Sequence, residues 1–267
     1  MNRLIIPGVF AAGCGGLLLT LGVVSSDARR VDDAERTPVL VELFTSQGCM
    51  SCPPADELLI QLDGTQPVPG ALIIPLSEHV EYWNGQWRDP FSSAVFTERQ
   101  REYHRALSTA AMYTPQMVVD GQTQLIGSRR DAAHAAIAKA ATHPKATLSV
   151  TQVRQTRNST VLVGVTVSGG SELGPLTDSD LWVAITEESL ETTVERGENA
   201  FRRLRHGTVV RVLTQVTTLP STLPDRFTAA TEVDVDPEWR SQNLRAVAFL
   251  QERKSRRILG AAQRRFE

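Results

Sequence analysis

Residues 38–56 read Pro-Val-Leu-Val-Glu-Leu-Phe-Thr-Ser-Gln-Gly-Cys-Met-Ser-Cys-Pro-Pro-Ala-Asp. This stretch limits the possible folds of the chain more than any other. Residues 39–44 are apolar except for Glu42, the pattern of a strand covered on both faces. Residues 45–48 form a turn, where Gly48 can take backbone angles that other residues resist. A helix then opens at a Cys-x-x-Cys pair, with Leu58, Leu59 and Leu62 on one face. After the breaker cluster at 66–70, residues 71–76 give a second apolar strand, so a parallel crossover unit is expected. Pro75 puts that strand at an end or an edge.

The first turn of a helix carries unpaired N–H groups and the positive end of the helix dipole. Both favour a thiolate, so Cys49 is the expected nucleophile near neutral pH and Cys52 the resolving partner. Pro53 and Pro54 are tolerated in a first turn but remove two donors, leaving the N–H groups near Met50, Ser51 and Cys52. Cysteines at this spacing can close into a disulfide and reopen by exchange. Two plainer readings compete. Half of a zinc site would need two further ligands, yet there is no second cysteine pair and no His-x-x-x-His. An inert structural disulfide is the other. The strand–turn–helix context favours the redox reading, with no resident metal or cofactor expected.

The 267 residues suffice for two modest domains. A net charge of −2 gives no reason to expect nucleic acid as a partner. Residues 1–28 read as a secretory signal: Arg3, an apolar run over 4–24 carrying Pro7, and small residues at 25–28. A retained membrane anchor is the alternative, and Ala-Ala-Gly-Cys at 11–14 resembles a lipid-attachment box, although the apolar run continues past Cys14. Removal of the signal would leave Cys49 and Cys52 as the mature chain's cysteines. One close pair suits a dedicated exchange site in an oxidising compartment, periplasmic or secreted, better than a disulfide-stapled scaffold. Residues 29–37 are a mixed-charge linker.

Residues 77–91 follow a strand end, where open sheets build their sites, and carry His79, Trp83, Trp87 and Asp89. His79 and Trp83 are candidates for a substrate-facing wall. The plainer reading has the aromatics plugging the core and His79 merely hydrogen-bonded. A helix over 92–109 follows, then strands at 116–119 and 122–126 around an Asp120–Gly121 turn, then a helix capped by Ser128 and running to Ala141.

Strand, Cys-x-x-Cys helix, strand, helix, then Thr-Pro before a hairpin and a last helix resembles a thioredoxin fold over residues 38–144. The resemblance implies a cis Thr114–Pro115 bond, with Thr114 and Pro115 facing the cysteines and binding substrate. It also implies that Glu42 is a buried acid accepting the proton of Cys52. More closely, the chain resembles an exported bacterial family of thioredoxin-like proteins described only as a domain of unknown function. The match rests on residues 41–56, His79-Val-Glu-Tyr-Trp83, Trp87-Arg-Asp-Pro-Phe91, residues 113–121, Arg196-Gly-Glu-Asn-Ala200 and Phe249-Leu-Gln251. Glu78 stands where an apolar residue is expected.

From Lys145 the pattern changes to short alternating strands at 147–154, 160–167, 180–186, 208–216, 227–235, 246–251 and 257–262. An all-β antiparallel sandwich over 145–267 is therefore expected after the α/β thioredoxin-like domain. Residues 196–202 are read as a structured turn rather than a contact loop. The functional expectation is a thiol–disulfide oxidoreductase acting on protein or peptide thiols and disulfides. As a reductase it would need a membrane redox donor. The rivals are a Cu(I) carrier using Cys49, Cys52 and His79, and an envelope protein with a structural disulfide.

Overall fold

The computed structural model describes residues 36–157, 159–168, 176, 178–220 and 225–266. The signal, anchor and Cys14 readings lie outside those residues. Strand β1 (Thr37–Thr45) runs parallel to β2 (Ala71–His79) and antiparallel to β3 (Gln116–Val119), which pairs with β4 (Thr123–Ile126). Among the described residues the helices are α1 (Pro53–Thr65), α2 (Ala94–Ala106) and α3 (Arg130–Ala141). The chain continues through β5 (Thr147–Arg157), β6 (Thr160–Ser168), β7 (Ser179–Glu187), β8 (Leu190–Thr193) and β9 (Arg203–His206). It ends with β10 (Val209–Thr218), β11 (Phe227–Asp234), β12 (Leu244–Glu252) and β13 (Ile258–Arg265).

The expected thioredoxin-like α/β domain with a separate antiparallel sandwich does not form. Instead β7, β10, β12 and β13 join the first four strands in one mixed sheet, ordered β13-β12-β7-β10-β2-β1-β3-β4. The seam is β10 against β2, parallel, with Val209 opposite Ser77 and the Ser77 N–H donating to the Thr208 carbonyl at 2.9 Å. The physical reason is that an exposed strand edge must be paired or covered, and the two halves meet edge to edge. Periodicity reports a strand but not the partner of its edge. Pro75 sits inside the sheet opposite Val41, two residues before the seam, so its missing N–H falls outside the pairing with β10.

Side-chain alternation along the strands sorts the core into layers. Val39, Val41 and Leu43 pack with Leu58, Leu59 and Leu62 of α1 and with Ala133 and Ile137 of α3. Leu40, Ile74, Leu76, Ala184, Val247 and Phe249 form the opposite face and pack with Phe96 of α2. A three-stranded sheet, β11-β6-β5, covers the C-terminal strands through Val163, Val165, Leu181, Val183, Ala248 and Leu250. Sandwich-like packing therefore exists, but one of its sheets is the shared eight-stranded one.

Local signals held where backbone chemistry fixes them. Asp120 and Gly121 turn with φ of 50° and 69°, and a Cβ at Gly121 would fall 1.9 Å from the Arg256 carbonyl oxygen. The Asp120 carboxylate accepts from the Leu40 N–H at 3.0 Å and pairs with Lys145. Helix α3 starts at Arg130 after Arg129, so Ser128 is not its cap.

On the α2 face lies a buried charged group. Arg99 donates to Glu42 and to Gln251 Oε1 (3.1 Å), and its Nε is 3.4 Å from Glu78. The Tyr103 hydroxyl donates to Glu42 and receives a bond from Gln251 Nε2 at 2.9 Å. Burial holds the Glu78 carboxyl well above the usual range, and the neighbouring Glu42 charge adds to this, while Arg99 opposes it. Glu78 therefore holds its proton to higher pH when folded than when unfolded. Its contribution to stability is full below its ordinary pKa near 4.5 and declines as pH rises toward the folded value. Glu78→Gln, which needs no proton, is expected to gain stability relative to the parent as pH rises from 4.5 to 8. The gain should vanish near pH 4.5; urea denaturation across pH 4.5–8 measures both.

Candidate functional site

Where β1 ends, residues 45–52 turn into α1. The Cys49 N–H donates to the Ser46 carbonyl and the Cys52 N–H to the Cys49 carbonyl, both at 3.2 Å, while the Gly48 N–H is held by Ser46 Oγ at 3.1 Å. Gly48 is required here, because a Cβ would come within 2.9 Å of the Trp83 carbonyl oxygen. Cys49 and Cys52 form a disulfide with Cα atoms 5.4 Å apart. Cys52 is the N-cap of α1, followed by the two prolines of the first turn.

Gln47 is fully buried and ties this turn to the rest of the chain. Its N–H donates to Asp89 Oδ2 (2.8 Å), and its Oε1 accepts from Trp87 Nε1 (2.9 Å). Its Nε2 reaches Thr192 Oγ1 (3.0 Å) and His206 Nε2 (3.3 Å). Its carbonyl accepts from Asn199 Nδ2 at 2.9 Å. Strands β8 and β9 are a two-stranded hairpin set between β7 and β10. The hairpin lies along α1, where Arg205 pairs with Glu57 at 2.6 Å. Its tip reaches the cysteines: Asn199 Nδ2 also donates to the Cys49 carbonyl at 2.9 Å, and Glu198 Oε2 accepts the Met50 N–H at 3.0 Å.

Beneath the disulfide lies a second buried polar group, on the α1 face of the sheet. Thr45 and His79 are register partners on β1 and β2. His79 Nδ1 pairs with Asp89 Oδ2 at 2.7 Å, and its ring meets Phe91 and His206 edge-on at 5.3 and 5.1 Å. Burial pushes the His79 pKa down, but the charge and hydrogen bond of Asp89, with Asp56 beyond, more than reverse this, so it is raised. Burial likewise pushes Asp89 up, and the His79 charge and hydrogen bonds bring it net below its usual value. His206, buried beside that cation, is lowered to about 3 and is neutral at pH 7. Asp56 follows Cys52 by one helical turn, its N–H donating to the Cys52 carbonyl at 3.1 Å. Burial raises its carboxyl to about 7, against the opposing pull of His79 and a hydrogen bond from Thr45. Oδ1 of Asp56 and Nε2 of His79 are both buried without a protein hydrogen bond. The arrangement can hold or release one proton near neutral pH one helical turn from Cys52.

Residues 40–251 match the family described as "Protein of unknown function (DUF1223)". The chain belongs to that family. Among solved structures, protein AGR_C_4864 from Agrobacterium tumefaciens is 25% identical with a TM-score of 0.62, over 86% of this chain and 94% of that one. HBP35 of Porphyromonas gingivalis is 12% identical, also with a TM-score of 0.62, over 86% of this chain and 76% of that one, a likeness of fold alone. No curated protein matches.

In this DUF1223 protein the structure gathers some of the candidate residues and separates others. Thr114–Pro115 is cis, and the Thr114 hydroxyl accepts from Trp83 Nε1 at 2.7 Å. Trp83 thus bridges the Thr-Pro loop and the Gly48 turn. A Cβ built on Gly127 touches both Pro115 and Ala55, which places the proline against the start of α1. His79 lies in the group behind the disulfide, fully buried rather than on an open wall. Glu42 is on the other face of the sheet, bound to Arg99 and Tyr103. A nucleophile must be reachable by its partner, yet Cys49 is 1% exposed beside Met50 at 63%. The cover is the 194–202 loop, a contact loop and not a free-standing turn.

Sequence reasoning missed Gln47, Asn199 and Asp56. For Asp56 a signal exists: an acid four residues after Cys52, set among Ala55, Leu58 and Leu59 on the buried stripe of α1. Gln47 and Asn199 carry no such signal, since their partners are distant in the chain.

Asp56 has a measurable signature. Its ordinary value is 3.8 and its folded value about 7, so folding takes up a proton between those limits. Its contribution to stability is full below pH 3.8 and declines as pH rises to about 7. Asp56→Asn is therefore expected to stabilise the oxidised protein by about 2–4 kcal/mol at pH 8. Near pH 4 it should have little effect, and denaturant titrations at the two pH values read the difference.

Proposed function

We propose that this protein is a thiol–disulfide oxidoreductase whose exchanging pair is Cys49–Cys52. The observation that carries the reading is a disulfide at the N-terminus of α1 with Asp56, at about 7, one turn behind Cys52. A structural staple needs no such group. A buried carboxyl tuned to neutral pH is costly, since folding at pH 7 must either take up a proton or bury the charge.

In the reducing direction, the Cys49 thiolate attacks a partner disulfide. A mixed disulfide forms and one partner thiolate leaves. Cys52 passes its proton to the Asp56 carboxylate and attacks Cys49 Sγ, which closes the internal disulfide and releases the second partner thiol. The partner is thereby reduced by two electrons and the pair oxidised by two. The oxidising direction runs through the same atoms in reverse, with Asp56 returning the proton to Cys52. The His79–Asp89 ion pair is a positioning element that keeps a cation beside Asp56 and limits how far burial raises it.

Partners of this site are protein or peptide thiols and disulfides. As a reductase it draws on a membrane redox donor, and the apolar residues 4–24 favour a periplasmic or secreted location. The Cu(I)-carrier reading gains nothing from the geometry, because among the described residues no group of three or more His, Cys, Asp or Glu side chains is placed to hold a metal ion.

Trapping tests the reading. Cys52→Ser is expected to accumulate mixed disulfides through Cys49, visible on non-reducing gels and abolished by Cys49→Ser. Asp56→Asn should slow closure of the internal disulfide roughly ten- to a hundredfold near pH 7, with recovery at high pH where Cys52 ionises unaided. Absence of any Cys49 adduct would sink the exchange reading. An unchanged pH profile in Asp56→Asn would remove Asp56 from it.

A further inference from the structure

We propose that the 194–202 tip of the β8–β9 hairpin is a redox-sensitive latch over Cys49, shut on the disulfide and released when the disulfide is reduced. The inference rests on the reading above in one respect, that the Cys49–Cys52 bond opens and closes.

The hairpin is fixed at its root and lightly held at its tip. At the root Gln47 binds Thr192 and His206, and a Cβ at Gly207 would press on Ile60 of α1. The tip is closed on itself by Phe201 N–H to Val194 C=O (2.7 Å) and Val194 N–H to Arg202 C=O (3.0 Å). Its hold on the cysteine turn is polar. Asn199 Nδ2 donates to the carbonyls of Gln47 and Cys49, and Glu198 accepts the Met50 N–H. Arg202 Nη1 donates to Asn199 Oδ1 at 2.8 Å, which fixes the direction of the amide. Apolar support comes from Val194, fully buried at the base of the tip, while Phe201 is 90% exposed and sits at φ 65°, a conformation that L side chains resist.

Reduction changes the charge at that turn. A partner dithiol supplies two electrons, the S–S bond breaks, and Cys49 becomes a thiolate at the head of α1. Donors there are few. Ser51 Oγ lies 3.4 Å from Cys49 Sγ and can donate to it, but Pro53 and Pro54 have no N–H, and the Cys52 N–H is given to the Cys49 carbonyl. Glu198 already occupies the Met50 N–H. A thiolate on buried Cys49 and the carboxylate of solvent-exposed Glu198 would then compete at one helix terminus, where like charges repel. Arg202, the cation within the tip, is turned toward Asn199. Release of Glu198 relieves the repulsion, gives the thiolate a second donor beside Ser51 Oγ and uncovers Cys49 for a partner.

Hydrogen–deuterium exchange of the 197–202 amides tests the latch on the whole protein. The oxidised form is compared with protein reduced by excess dithiothreitol, two free thiols being confirmed by titration. Exchange is expected to be at least about tenfold faster in the reduced form, and slow again in reduced Glu198→Gln. Cys49→Asp with Cys52→Ser supplies the charge without the chemistry and should exchange fast. Cys49→Ser with Cys52→Ser should exchange as slowly as the oxidised parent. Equal rates in oxidised and reduced protein, or equally fast exchange in the Ser/Ser and Asp/Ser variants, would overturn the latch. These outcomes need no physiological partner, so failure to trap substrates bears on the exchange reading alone.

Discussion

One register pair, Ser77 against Val209, joins the two halves of the chain, and the site depends on that seam. It brings the end of β2, which carries His79, beside the start of β10. The β8–β9 hairpin leaves the sheet immediately before β10, so the seam also sets where the hairpin can reach. From there it lies along α1 and delivers Asn199 to the carbonyls of Gln47 and Cys49. Had the C-terminal strands packed as a separate sandwich, His206, Thr192 and Asn199 would have had no fixed position relative to the cysteines. The buried donors and acceptors of Gln47 would then have lacked partners, at a cost of about 1–3 kcal/mol each.

Strand alternation creates two buried polar groups back to back. Thr45 and His79 point to the α1 side, while Glu42 and Glu78 point to the α2 side. The α2-side group is built for structure. Arg99 and Tyr103 both satisfy Glu42, and Gln251 of β12 binds Arg99 and Tyr103 across the width of the sheet. Both groups keep buried polar atoms without a protein hydrogen bond: on Asp56, His79 and His206 on the α1 side, and on both carboxyl oxygens of Glu78 on the α2 side. Glu42 is committed to Arg99 and Tyr103, whereas Asp56 keeps a bare oxygen and sits one helical turn from Cys52, so the proposed proton role rests on Asp56 and not on Glu42.

The sequence was legible wherever the signal is local. The apolar run before Cys49, the Thr114–Pro115 loop and the Asp120–Gly121 turn are each decided by a few neighbouring residues. What stayed hidden depends on long-range partners. The edge of β2 reads the same whether solvent or β10 lies beside it. Strands β8 and β9 have four residues each, too few for alternation to stand out. Asn199 looked like a turn residue because asparagine suits turns, and nothing nearby revealed that its amide spans about 150 positions to reach Cys49.

Cover and proton store are physically linked. Burial is the first cause of the raised Asp56 value, and the hairpin, through His206 against His79 and Gln47, is part of what excludes water from that side of α1. Movement of the tip without the root would expose Cys49 and leave Asp56 buried and tuned. Loss of the whole hairpin would hydrate Asp56 and return it toward an ordinary carboxylate, ionised at neutral pH and a weaker base toward the Cys52 thiol. The root contacts of Gln47 and the tip contacts of Asn199 therefore serve different ends. A hairpin fixed at one end and releasable at the other can open the sulfur to a partner without discarding the proton chemistry behind it.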